Sequence, residues 1–368
     1  MLSYSGKENE GVEETVDRNI TALINLIRSK YLSTDSENKP MDFGRKAQYF
    51  TLDIISDLSY REPFGYLATD SNLYDYIDTT EKVFTAALMV TIFPWLNWLL
   101  RSPLLKAALP SEKDPLGLGK IIRLTHRIRI QNIYLLETSI TKKVVAERFG
   151  PNKRVQRDML GSFIAHGLNR EEAESEVIIQ MCSNPHCFPL GYRLAIRSMA
   201  GGDTSATAIR ATLLHLIMHP HVTSKLRNEF TSHPISSPIQ DAEARKLPYL
   251  QAVIKEGLRI FPPVVGLMSK EVPREGDAID NRFVPGGTRI GYGAYGIFRD
   301  KKVWGQDADT FRPERWFDAT PDMESSLELI FSYGRFQCLG KNLAMMELNK
   351  IFVEVRTVHV EAYSLRMN

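Results

Sequence analysis

The sequence is short of cysteine, of net charge and of long apolar runs. Its 368 residues hold three cysteines, Cys182, Cys187 and Cys338. An odd, low count argues against a disulfide scaffold and for a reducing compartment. Basic and acidic side chains nearly cancel, 46 against 44, for a net charge of +2. That removes the electrostatic case for a nucleic-acid partner. Met1 to Asp17 is polar and acid-rich, without the apolar core of a signal peptide or an anchor. The longest uncharged stretch, Phe84 to Leu100, contains Pro94 and Asn97 and is short for a spanning helix. It reads as a buried or surface-lying helix pair, with Trp95 and Trp98 suited to a peripheral membrane contact. No internal repeat stands out.

What is present is an ordinary globular composition, 43% hydrophobic and 24% charged, ample for a large core. Apolar spacing predicts helices over Ile20–Lys30, Arg45–Tyr60, Ser71–Phe93, Gly117–Phe149, Val155–His166, Glu171–Gln180, Arg193–Met218 and Leu247–Phe261. A further helix is expected from His219-Pro220 to about Phe230. The basic run in Gly117–Phe149 reads as a solvated face. From Val264 to Ile297, short β-branched runs alternate with Gly, Pro and an Asp-Asn pair, the texture of hairpins. An irregular Trp- and Pro-rich segment follows Asp300, and a last helix runs from Lys341 to about Val355. The fold class is mainly α with a small β region.

Four stretches carry chemistry. Phe331 to Gly340 sets Cys338 in a Gly-punctuated loop just before the last helix, with Gly334 and Gly340 on either side of the sulfur. A thiolate near a helix N-terminus gains from free N–H groups and the positive dipole end. Glycines let backbone approach a flat ligand. Ala200 to Ser205 puts Gly201, Gly202, Asp203 and Thr204 within a helical run. Either the helix opens there to admit a small ligand beside an acid and a hydroxyl, or Asp203 or Thr204 caps a helix start. Glu256 and Arg259 sit one helical turn apart, and Arg315 can bridge to Glu256 with bidentate geometry.

Two other patterns weigh less. Cys182, His186 and Cys187 offer three clustered ligands at no standard zinc spacing. Gly291 to Gly296 fits the spacing of a dinucleotide fingerprint but lacks the strand–helix context, and reads as a tightly packed β segment.

In order and separation, the four stretches resemble the cytochrome P450 family of heme-thiolate monooxygenases. Leu247–Pro263, Lys341–Phe352 and Tyr4–Asn9 look closest to fungal members similar to pisatin demethylase and benzoate hydroxylase. The resemblance implies a P450 fold and heme b, with Cys338 as axial ligand of the iron and Phe331 shielding the sulfur. Asp203 and Thr204 would deliver protons to dioxygen, with Gly201 and Gly202 making room for it. Glu256, Arg259 and Arg315 would form a structural triad behind the heme. Lys270 would meet a heme propionate. Val264, Val265, Gly266 and Leu267 would line the substrate pocket. Electrons would come from NADPH through a separate cytochrome P450 reductase. The implied reaction inserts one oxygen atom into a small apolar or aromatic metabolite, in fungal secondary metabolism or detoxification. The full-length family implies the endoplasmic reticulum membrane; without an anchor, a cytoplasmic or peripheral place is expected.

The chain departs from the family pattern in places. Phe336 stands where Arg or His is usual, two residues before the cysteine. A single P450-like domain over 1–368 is expected to be incomplete at both ends, lacking the anchor and the first β and helical region. Residues 123–139 and 181–198 look like inserts, and 353–368 like an atypical tail. These features leave open an alternative: a truncated or misread reading frame, catalytically inactive and unable to hold heme.

Overall fold

The structure, a computed structural model, describes residues 11–34, 36–73, 77–78, 145–149, 158–170, 172–173, 195–266, 269–334 and 337–364. Phe84–Leu100, residues 123–139, the Cys182–His186–Cys187 cluster, most of 181–198, Leu267, Phe336 and the last four residues lie outside them.

The described helices, in chain order, begin with α1 (Val12–Leu26), ending in a π-helical turn Ile27–Tyr31, then α2 (Phe43–Tyr60), α3 (Tyr66–Thr69) and α4 (Met159–Ala165). Next come α5 (Ala195–Met218), α6 (Pro220–Ser232), α7 (Asp241–Ala244) and α8 (Pro248–Ile260). Four short strands follow: β1 (Lys270–Glu271), β2 (Asp277–Ile279), β3 (Arg282–Val284) and β4 (Arg289–Ile290). Then come α9 (Ala294–Ile297), α10 (Lys301–Trp304), a 3-10 turn Pro313–Asp318, α11 (Pro321–Glu328), a 3-10 turn Leu329–Phe331 and α12 (Lys341–Ser364). The protein is mainly α, as the sequence predicts.

By compactness the chain divides into two units, one of Met1–Thr15 and Tyr49–Asp203, the other of Val16–Gln48 and Thr204–Asn368. In the first, Val145, Leu160 and Ala173 form a small core, covered by Phe64, Phe149 and Ile164. Asp53 on α2 accepts the backbone N–H groups of Gly65, Tyr66 and Leu67 at 2.8, 3.1 and 2.9 Å. One carboxylate thereby satisfies the orphan donors at the start of α3.

In the second unit, α8 is the hub. Pro248 opens it where a missing N–H costs nothing, and Leu250, Val253, Ile254 and Leu258 are buried along it. It packs against α6, α11, α12 and the 3-10 turn Pro313–Asp318. Gly257 has a steric reason: a Cβ there would lie 2.0 Å from Thr212 Oγ1 of α5. Each fully buried Leu or Ile contributes roughly 1.5–3 kcal/mol relative to exposure. α12 also buries a polar stripe. Lys350 Nζ meets Asp17 of α1 at 2.9 Å, Asn349 donates to Asp241 at 2.7 Å, and Glu354 accepts the Ile239 N–H at 2.8 Å.

The β region forms two antiparallel pairs. β1 pairs with β4, Lys270 opposite Ile290, and β2 with β3, Asp277 opposite Val284. Asp280 and Asn281 close the second hairpin with φ of 51° and 58°. Positive φ at both central positions is what a twisted two-residue hairpin requires, and Asp and Asn tolerate it.

Several expectations are corrected. α1 starts at Val12, not Ile20. The segment after Asp300 is not simply irregular, because α10 and α11 form there. α12 continues past Val355 to Ser364. The Gly291–Gly296 run leaves β4 and turns into α9. Its tight packing is real at Gly291, where a Cβ would lie 2.8 Å from Ser269 Cα.

Candidate functional site

Glu256 and Arg259 project from adjacent turns of α8, and both are fully buried. The Arg259 guanidinium donates to Glu256 through Nε (2.9 Å) and Nη2 (2.8 Å). Its Nη1 reaches the carbonyls of Phe298 and Ala308, each at 2.7 Å. Arg315, on the 3-10 turn, donates from Nε to Glu256 at 3.0 Å and from Nη1 to the Trp304 carbonyl at 2.8 Å. The Trp316 indole and the Arg312 backbone N–H complete the set on Glu256, at 3.0 and 2.8 Å. Five donors thus converge on one carboxylate. Such satisfaction is what lets a buried charge persist. The structure brings the expected trio together and adds Trp316 and the Arg312 N–H, which the sequence reading missed. Trp316 had one signal, its position next to Arg315.

The cysteine loop is held by its backbone. Cys338 N–H donates to the Phe331 carbonyl at 2.7 Å, and Gln337 N–H to Gly334 at 3.0 Å. Gly334 has φ +63°, a left-handed conformation that glycine adopts without strain. α12 starts three residues after the cysteine, and Ala344 N–H returns to the Gly340 carbonyl at 2.9 Å. Cys338 is an exposed free thiol. Lys270 on β1 donates to the Ser332 hydroxyl at 3.2 Å, so a cation reaches the loop. Lys341 lies over the Phe331 ring, 5.4 Å from its centre. Tyr292 donates to the Leu329 carbonyl at 2.5 Å, and burial pushes its phenol above the usual range. Val264 and Val265 are 44% and 53% exposed, and Gly266 has open space around it.

The glycine-rich turn differs from both sequence readings. α5 runs unbroken from Ala195, so Asp203 and Thr204 lie inside the helix and cap nothing. No opening of the helix is seen at Gly201–Gly202 either. A Cβ at Gly202 would lie 2.8 Å from Leu52 Cδ2, and one at Gly201 3.3 Å from Ile55 Cδ1. The space freed by the two missing Cβ atoms therefore faces α2. Asp203 and Thr204 are half-buried.

Glu347 was not foreseen. It is 1% exposed on α12, with the Ser205 hydroxyl beside it and Oε2 without a partner. Burial pushes its carboxyl up to about 8, against a smaller lowering by Ser205. Among the described residues, no group of three or more His, Cys, Asp or Glu is arranged to hold a metal. A thiol acting as the only protein ligand is not such a group.

Residues 193–356 match the family model described as Cytochrome P450. A protein named Cytochrome P450 monooxygenase ABA1 from Pyricularia oryzae is 40% identical over 96% of this chain. Cytochrome P450 monooxygenase aba1 from Botryotinia fuckeliana is 34% identical, also over 96%. Cytochrome P450 monooxygenase abl1 from Leptosphaeria maculans is 31% identical over the whole chain. This chain belongs to the cytochrome P450 family. It spans 65% of the length of the first two relatives and 61% of the third.

For a P450 chain the family implies a heme iron. The residues present fit that group. One exposed thiol stands near the start of a long helix, glycine backbone leaves open space at Gly334, and a lysine reaches the same loop. No described helix of this P450 is long and apolar enough to cross a membrane.

Proposed function

We propose that this chain carries the catalytic core of a heme-thiolate monooxygenase acting on a small apolar or aromatic metabolite. The observation that carries the reading is the Cys338 loop: an exposed thiol, its own N–H held on the Phe331 carbonyl, presented just before α12. The fungal relatives, each named a cytochrome P450 monooxygenase, support the same reaction class; a place in fungal secondary metabolism belongs to the proposal. One oxygen atom of dioxygen enters the substrate. The other leaves as water, with two electrons from NADPH through a separate reductase and two protons.

Cys338 would hold the heme iron, and Phe331 would cover the sulfur. When bound, heme supplies a redox iron whose thiolate ligand donates the electron density that favours O–O cleavage. Lys270 would pair with a carboxylate at the heme edge, giving a charge-assisted contact. Asp203 and Thr204 would pass protons inward from solvent, an acid and a hydroxyl adjacent on one helix. Val264 and Val265, exposed apolar side chains, would with Gly266 and Leu267 meet an apolar substrate by its surface alone. Glu256, Arg259 and Arg315 touch no reacting atom; they fix the backbone that the other groups stand on. The endoplasmic-reticulum setting of the family, and a peripheral contact through Phe84–Leu100, belong to the same proposal.

The test is a reduced carbon monoxide difference spectrum of the heme-loaded chain. A red-shifted Soret band is expected for thiolate ligation, and Cys338→Ser should abolish it. No band in the parent chain, or the same band in the variant, sinks the reading.

A further inference from the structure

Thr51 is fully buried on α2, and its hydroxyl donates to the Gly202 carbonyl at 2.7 Å. The two residues are 151 positions apart and belong to the same compact unit. Gly202 immediately precedes Asp203 and Thr204. In a continuous α-helix the Gly202 carbonyl also accepts the N–H four residues on, that of Ala206. A carbonyl oxygen has two lone pairs, so it can serve both donors.

The neighbouring side chains make this contact specific. Two adjacent glycines are the loosest point of α5, each costing about 1 kcal/mol against alanine. Their missing Cβ atoms let Leu52 and Ile55 lie close against the helix. That close approach is what brings the Thr51 hydroxyl, one residue before Leu52, within reach of the backbone.

We propose that Thr51 is a positioning residue: its hydroxyl ties down the Gly202 carbonyl and so fixes the turn of α5 that carries Asp203 and Thr204. Thr51 meets no substrate and transfers no proton. It decides where the acid and the hydroxyl stand, and how steadily. Its catalytic consequence rests on the monooxygenase reading above, whereas the tie itself does not.

Two substitutions test it. Thr51→Val keeps the shape and deletes the hydroxyl; Thr51→Ser keeps the donor. Hydrogen exchange is followed in the heme-free chain at the amides of Asp203 to Ala206, with the α4 amides as an internal control. Loss of one buried hydrogen bond should raise exchange in Thr51→Val about fivefold to tenfold at Asp203–Ala206. The α4 amides should stay unchanged, and Thr51→Ser should restore the parent rates. Equal exchange in Thr51→Val and the parent, a rise of equal size at α4, or no rescue by Ser overturns the tie.

In the heme-loaded protein, Thr51→Val should send a larger share of NADPH electrons to hydrogen peroxide rather than product, with the carbon monoxide band intact. An unchanged partition overturns the positioning role. A missing band in the parent chain would overturn the monooxygenase reading instead, and the exchange arm would still decide the tie.

Discussion

A carboxyl group sealed among helices holds its proton far into the neutral range. Glu347 does so, with burial pushing it up to about 8 from an ordinary 4.5. The folded state thus binds a proton that the unfolded chain releases above 4.5. The stability linked to that proton is fully present below pH 4.5 and is lost as pH rises through 8. Across this window the loss is on the order of 5 kcal/mol, at about 1.4 kcal/mol per unit. Glu347→Gln, which cannot ionise, should flatten the fall in stability between pH 5 and 9. Urea unfolding of both proteins at several pH values measures it, and parallel curves would remove Glu347 as the cause. Nothing in the sequence marks this residue: Glu347 is one charged side chain in a helix that also carries Lys341, Lys350 and Glu354. Burial is a property of the packed α12, and no local pattern reports it.

At the scale of elements, Asp53 shows how one side chain can define a helix. α3 has four residues, too few for a periodic signal, and its first N–H groups rest on the Asp53 carboxylate. Burial pushes this acid above its usual range, and the three N–H groups oppose the rise. Asp53→Ala would orphan those donors at a cost of about 2–3 kcal/mol. Limited proteolysis should then cut near Gly65 while leaving α8 protected. Equal cutting in variant and parent would show that α3 is held by other contacts.

The long periodic helices were legible because amphipathic spacing is local: Arg45–Tyr60 was expected and Phe43–Tyr60 formed, Leu247–Phe261 was expected and Pro248–Ile260 formed. One-turn helices such as α3, α7, α9 and α10 carry no period to read. The start of α1 lies in the acid-rich stretch before Asp17 and has little apolar period, but Glu13 and Glu14 in its first turn are a helix-start signal. The same signal, Thr320 capping with Asp322 and Glu324 following, stood unread at α11.

At the scale of the whole molecule, the candidate site was legible in types but not in neighbours. The cysteine loop and the trio of Glu256, Arg259 and Arg315 follow from residue identity and spacing. What the glycine pair faces does not, because α2 lies about 150 residues earlier in the chain. Chain separation also hid the carbonyls of Phe298, Ala308 and Thr310, 39 to 51 residues beyond Arg259, and that of Trp304, 11 residues before Arg315, which take guanidinium protons. Glu256→Ala would leave the buried Arg259 without its anion and Arg315 with the partly exposed Asp307 alone, a loss of about 3–5 kcal/mol. Soluble yield and the urea midpoint should both fall sharply. An unfolding free energy within about 1 kcal/mol of the parent would mean that the carbonyls and Asp307 can hold the arginines.

Glu256 also bears on the order of assembly. Its partners from Arg312 to Trp316 are 56 to 60 positions away along the chain, in a stretch whose longest run is a 3-10 turn. Such a stretch has little local reason to hold its shape. It becomes ordered only once α8 offers a carboxylate to close upon, and closing a loop of that length is slow relative to forming a helix. The carboxylate therefore works as a checkpoint in time. The segment between α10 and α11 should acquire exchange protection after α8, and never before it.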